Sequence, residues 1–282
     1  MLRSASQVRS LRTADRDEAL DLCARDPAAN VYVAARILET DLDRGSGSLL
    51  GYYPGRRLEA LCWVASNVVP VGGDEAATRA FAERLRRQRS RTSSIFGPAD
   101  QVGQLWEQLR QPWGAPLDVR ANQPLMMVAP DQPITVAGDE RVRLATADDV
   151  PLVVPAAAAM FTEEIGYPPY ADRVSHSGYW SSVRALVARG HTFVVIENGR
   201  LVFKADLGSV AVGACQVQGV WVDPGYRRRG LSAPAMAAVV ELARRDVAPL
   251  VTLYVNDYNT AALAAYRRVG FVQMGVFTTI LV

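Results

Sequence analysis

Long apolar runs are missing from this chain. None approaches the roughly 20 residues that a bilayer span needs, so no membrane-spanning helix is expected. Cysteine is scarce: Cys23, Cys62 and Cys215 are odd in number, far apart and set in apolar company, with no CxxC spacing. That argues against a disulfide framework or a zinc site and for buried free thiols. His176 and His191 have no Cys, His or carboxylate at ligand spacing, which leaves them surface or loop roles. Excess charge is absent too, since a net +2 over 282 residues gives no general attraction for a polyanion. Lysine is almost lacking. Lys204 is the only one, arginine supplies the other cations, and the bias reads as codon usage without chemical meaning. No apolar segment of signal-peptide type follows Met1–Ser6, so a cytoplasmic location is the default expectation.

What is present is an ordinary globular composition, 49% hydrophobic and 21% charged, in a length that suits two domains of about 140 residues. The periodic pattern breaks at Val128-Ala129-Pro130-Asp131-Gln132-Pro133, which places a boundary near 135 and domains at 1–135 and 136–282. Each half opens alike, with a short strand, a Thr-Ala-Asp tripeptide (Thr13-Ala14-Asp15, Thr146-Ala147-Asp148) and an apolar-periodic helix. Thr146 and Asp149 have capping-box spacing. Hairpins are expected around Gly51–Leu58 and at Asn198-Gly199. A duplicated α/β unit is the simplest account. In the second half the pattern predicts an extended run over 210–222, helices over 232–245 and 260–268, a strand over 250–255 and a terminal strand pair over 271–281.

The chemistry-bearing segment is Val220-Trp221-Val222-Asp223-Pro224-Gly225-Tyr226-Arg227-Arg228-Arg229-Gly230-Leu231-Ser232, a strand running through a basic loop into a helix. Unpaired N–H groups and the dipole of a helix N-terminus favour an anion, arginines add charge-assisted bonds, and glycine permits close backbone approach. Downstream stands Asn256-Asp257-Tyr258-Asn259-Thr260, followed by Ala265-Tyr266-Arg267-Arg268-Val269-Gly270-Phe271.

These residues resemble the GNAT superfamily of acetyltransferases. The family's loop signature is Arg or Gln, two residues, Gly, one residue, then Gly or Ala; Arg227, Gly230 and Ser232 hold those places, Ser232 departing from the pattern. The likeness covers about residues 140–282 and implies acetyl-CoA as acyl donor, with its pyrophosphate on Arg227, Arg228, Arg229, Gly230, Leu231 and Ser232. It implies that the pantetheine arm runs beside Val220, Trp221 and Val222, that Asn259 contributes to the cofactor site, and that Tyr266 protonates the departing thiolate. The fold implied is α/β in the α+β sense, tandem GNAT-like domains each with a mixed, largely antiparallel sheet flanked by helices.

An amine acceptor must lose a proton before attack, yet Cys215-Gln216-Val217-Gln218-Gly219 has no carboxylate where several relatives carry a glutamate. Glu163 and Glu164 fall where the family's first helices form the acceptor wall, and Glu164 is the favoured base; a water relayed through Gln218 is another route. The reaction implied is direct transfer to a small-molecule or protein amine in a ternary complex, without a metal. The missing strand glutamate supports an alternative, a decayed acyl-CoA sensor or scaffold.

The N-terminal half resembles a degenerate copy. Val69-Pro70-Val71-Gly72-Gly73-Asp74-Glu75 puts acid where a phosphate loop needs arginine, so no coenzyme A is expected there. Gly45-Ser46-Gly47-Ser48 reads as a loop rather than a dinucleotide fingerprint. Arg84, Arg86, Arg87, Arg89 and Arg91, on an expected helix over 80–91, form a solvated face rather than a nucleic-acid site, since no stacking aromatics accompany them. No membrane partner is expected, and a homodimer stays open.

Overall fold

The computed structural model describes residues 7–44 and 48–282; the expectations for Met1–Ser6 and for positions 45–47 lie outside them. The described residues form two compact units, one of residues 7–44, 48–126, 254–258 and 273–282, the other of 127–253 and 259–272. Against the expected 1–135 and 136–282, the proline-rich segment from 127 folds with the second unit and the terminal strand with the first. Gln132, Ala129 and Thr135 bond to the second unit: Arg244 donates to the Gln132 carbonyl at 2.8 Å, and Thr135 Oγ1 to the Arg268 carbonyl at 2.6 Å.

The first unit contains β1 (Val8–Ser10), α1 (Arg16–Cys23), α2 (Pro27–Glu39), β2 (Ser48–Tyr52), β3 (Ala60–Val64), β4 (Asn67–Gly72), α3 (Glu75–Leu85), β5 (Ser94–Pro98), α4 (Ala99–Trp113) and all but the last two residues of β6 (Asp118–Val128). The second contains β7 (Arg143–Leu144), α5 (Val150–Ile165), α6 (Arg173–Ala188), β8 (Thr192–Glu197), β9 (Arg200–Ala211), β10 (Ala214–Val222), α7 (Ser232–Asp246), β11 (Leu250–Tyr254) and α8 (Thr260–Val269). The last strand, β12 (Val272–Leu281), pairs antiparallel with β5 in the first unit, Phe277 opposite Pro98 and Leu281 opposite Ser94. It is one long strand, not the expected pair.

Both units repeat one plan. In the first, β1-β2-β3-β4-β5 lie in that order, antiparallel until β4 meets β5 in parallel; in the second, β7-β8-β9-β10-β11 do the same, with β10 and β11 parallel. The architecture is therefore a tandem of mixed, largely antiparallel sheets flanked by helices. Each unit opens on the same clamp. Arg9 grips Asp15 with bonds of 2.8 and 2.7 Å, and Arg143 grips Asp149 with 2.7 and 2.9 Å. Asp15 also accepts from Arg12 N–H at 2.9 Å and Asp149 from Thr146 N–H at 2.7 Å. The Arg143 bonds come first among the causes that hold the Asp149 carboxyl well below the usual carboxylate range. Asp15 thus corresponds to Asp149, one position on from the Thr-Ala-Asp match that the sequence suggests.

Apolar faces close each unit. Phe81, Leu85, Leu105 and Leu109 pack with Cys62 and Val68 in the first, and Val153, Val154, Val183 and Val187 with Val194 and Trp221 in the second. All three cysteines are buried free thiols, as expected, and burial pushes Cys23 and Cys215 up to about 12. Among the described residues no helix is long and apolar enough to cross a membrane. The extended run expected over 210–222 is broken by a two-residue turn at Val212 and Gly213, both at positive φ, between β9 and β10. The helix expected over 80–91 stops at Leu85, followed by a separate 3-10 turn at Arg89–Arg91. Arg89 Nε there donates to the Trp113 carbonyl at 3.0 Å, so the arginines do not share one helical face.

Candidate functional site

The loop between β10 and α7 starts from a rigid corner. Asp223, 5% exposed, accepts from Gly225 N–H at 2.8 Å and from Arg200 Nε and Nη2, both at 2.8 Å, which turns the chain into the 3-10 turn Pro224–Tyr226. Arg200 and Arg229 lie over the Tyr226 ring at 6.0 and 5.2 Å, within cation–π reach. Arg228 (φ +61) and Gly230 (φ +78) are left-handed. Gly230 is followed by the right-handed Leu231, and a left-handed residue beside a right-handed one turns successive N–H groups toward one side, as in anion-binding concavities. A Cβ at Gly230 would meet nothing within 4 Å, so the backbone there faces open space. Arg227, Arg228 and Arg229 are exposed around it.

Helix α7 then begins with Leu231 as its cap residue and no side chain bonded to its first turn. Ser232, at the first helical position, does not cap the helix. The third position is Pro234, which has no N–H to satisfy. A helix start left open in this way, behind three exposed arginines, is a place for a phosphate-like group.

Arg227 is already engaged. Its Nε donates to the Val222 carbonyl at 2.9 Å, and its Nη2 donates to both oxygens of Glu163 at 3.0 and 2.7 Å. Trp221 Nε1 reaches the same carboxylate at 3.4 Å. The C-terminal end of α5 is thereby drawn onto the end of β10. Of the two adjacent glutamates, Glu163 serves the loop, while Glu164 acts on Tyr266. Tyr266, on α8, is 6% exposed with its ring centroid 5.7 Å from that of Phe271. Burial first, and the charge of Glu164 second, hold its hydroxyl above the usual tyrosine value, so it keeps its proton at neutral pH. The structure therefore brings Tyr266 and Glu164 into one electrostatic neighbourhood. Asn259 is exposed and caps α8, accepting from Ala262 N–H at 3.2 Å. Val220 and Val222 are half-buried at the end of β10, and Trp221 is buried among the α5 and α6 side chains.

One feature escaped sequence reasoning. Asp206 on β9 is the Cα partner of Gln218, so a carboxylate stands one strand over from the stretch that lacks one. It is 7% exposed and bonded to the fully buried Lys204. The signal available was the chain's single lysine two residues from an aspartate inside an apolar run, Leu201-Val202-Phe203-Lys204-Ala205-Asp206-Leu207. His176, expected at the surface, is exposed but accepts from Trp180 Nε1 at 3.1 Å within a ring cluster with Tyr170 and Tyr179.

The second unit thus joins a largely antiparallel sheet with one parallel pair to a basic loop with left-handed residues and a helix start without a side-chain cap at the end of its fourth strand. Residues 157–271 match the family model described as the Acetyltransferase (GNAT) family. That segment is a GNAT-type domain by its family model, which spans less than half of the chain. Residues 47–153 match a separate model described as a domain of unknown function, DUF4081. No curated protein matches the chain. Among solved structures, an acetyltransferase of the GNAT family from Colwellia psychrerythraea aligns with TM-score 0.61 at 12% identity, covering 97% of this chain and 98% of that one. A GCN5-related N-acetyltransferase from Sphaerobacter thermophilus aligns with TM-score 0.62 at 18% identity, covering 96% and 94%. A tandem GNAT protein from the clavulanic acid biosynthesis pathway aligns with TM-score 0.55 at 14% identity, covering 96% and 97%. These identities speak for a tandem GNAT fold and for nothing finer.

Proposed function

We propose that the second unit moves an acetyl group from acetyl-CoA to an amine by direct attack in a ternary complex. The observation that carries this reading is the loop Arg227–Ser232, where two left-handed residues, three exposed arginines and an uncapped helix start converge on open space. A pyrophosphate there would take N–H bonds from the turn into α7, and the exposed arginines would neutralise it. The backbone of Val220–Val222 is the edge against which the pantetheine arm would lie, each bond contributing about 1 kcal/mol net. Tyr266, held protonated, suits donation to a leaving thiolate. Glu164 is a carboxylate whose charge reaches Tyr266, and an amine of ordinary pKa about 10.4 needs such an acceptor before it can attack.

The acceptor class is a small-molecule or protein amine. The first unit is read as a GNAT-like domain without a cofactor loop. Calorimetric titration of acetyl-CoA into the wild type and into Gly230→Trp tests the assignment. Micromolar binding to the wild type, lost in a variant that still melts cooperatively, is the expected result; a wild type that binds nothing would overturn it.

A further inference from the structure

The register between β9 and β10 pairs Gln218 with Asp206 and then Trp221 with Lys204, which leaves Gly219 and Val220 opposite Ala205 alone. Two residues facing one make a β-bulge, which bends its strand and re-aims the backbone. Gly219 takes φ +60, a left-handed bulge position that glycine adopts without strain.

Lys204 and Asp206, two apart on β9, point to one face of the sheet. Lys204 is 1% exposed; its Nζ donates to Asp206 Oδ2 at 2.5 Å and to the Gly219 carbonyl at 2.9 Å. Thr192 Oγ1 donates to Asp206 Oδ1 at 2.8 Å. A Cβ on residue 219 would lie 2.7 Å from Asp206 Oδ2 and 3.0 Å from Lys204 Nζ, so with the ion pair in place only glycine fits there. Tyr179 on α6 also feels the Asp206 charge, which, after burial, helps push its hydroxyl up to about 12.

Such a pair is a poor device for stability. Taking two ions out of water is costly, and apolar replacements of similar volume are often neutral or stabilising. Its geometric effect is specific, however. In a trans peptide the C=O and the following N–H point in opposite directions. By holding the Gly219 carbonyl, Lys204 aims the Val220 N–H to the opposite side, at the head of the strand end that the acetyl-CoA reading assigns to the pantetheine arm.

We propose that Lys204 and Asp206 are a positioning pair that fixes the Gly219–Val220 bulge and so orients the backbone that receives the pantetheine and thioester end of coenzyme A. This rests on the acetyl-CoA reading, and its test separates the two. Lys204→Met/Asp206→Leu removes both ions together and leaves no orphaned charge. Calorimetric titration of coenzyme A and of adenosine 3′,5′-bisphosphate, which lacks the pantetheine arm, should show coenzyme A weakened at least tenfold and the bisphosphate changed less than twofold. Equal losses for both, or none for either, would overturn the positioning role while leaving the acetyl-CoA reading standing. A wild type that binds neither ligand would overturn both. If the double variant does not fold, the wild type still decides the matter. With nitrogen-15 lysine the chain's single Nζ gives one signal, which saturating coenzyme A should move and the bisphosphate should not; a signal unmoved by coenzyme A sinks the proposal.

Discussion

Tyr266 is a buried packing residue for which the proposed function adds a chemical role. Its ring sits 5.7 Å from that of Phe271, and its hydroxyl is held in the protonated form by burial and by Glu164. Tyr266→Phe keeps the ring and loses only the hydroxyl. If the tyrosine is the general acid, turnover with a competent amine should fall roughly 10²- to 10⁴-fold at unchanged acetyl-CoA affinity. Steady-state kinetics alongside calorimetry would check both halves, and undiminished turnover would assign Tyr266 to the core alone. At this scale the sequence pointed to Tyr266 and Glu164 through family motifs, but burial was invisible in it. The same holds for Lys204 and Asp206, because a lone lysine in an arginine-rich chain looks like codon bias until its contacts are known.

At the scale of elements, helix α5, strand β10 and the basic loop meet through Glu163. The carboxylate takes two bonds from Arg227, but both partners are more than 40% exposed, so the pair is worth about 0–1 kcal/mol. On the proposed function, an incoming pyrophosphate would compete with Glu163 for the same guanidinium. Glu163→Gln should therefore tighten acetyl-CoA about two- to fivefold, with the gain fading as salt rises. Weaker binding would show instead that Glu163 holds Arg227 in its receiving position. The elements themselves were legible where the signals are local. Helix α7 over 232–246 and helix α8 over 260–269 lie within a residue of expectation, and Asn198-Gly199 forms its hairpin at positive φ. The turn at Val212-Gly213 was not legible, since valine at φ +46 is imposed by strand pairing rather than by its own preference. The partner of β12 was equally hidden, because register with a strand so far back in the chain, Phe277 opposite Pro98 and Leu281 opposite Ser94, leaves no local trace.

Across the whole molecule the duplication is plain in the repeated strand order and the repeated arginine–aspartate clamps, yet the two units differ where a cofactor would sit. After β10 the chain offers arginines, a Gly230 facing open space and an uncapped helix. After β4 it offers Gly72 and Gly73 at positive φ, but a Cβ on Gly73 would lie 2.7 Å from that of Ala60 and 2.8 Å from that of Ala77, so this loop is packed down. Asp74 then accepts from Ala77 N–H at 3.0 Å and caps α3 itself. An internal carboxylate in that position satisfies the helix start and repels a phosphate. The expected stoichiometry is accordingly one acetyl-CoA per chain, not two, with the single site abolished by Gly230→Trp. Titration of the full chain measures this directly. A stoichiometry near two, or binding that survives Gly230→Trp, would mean that the first unit retains a cofactor site of its own despite its capped helix.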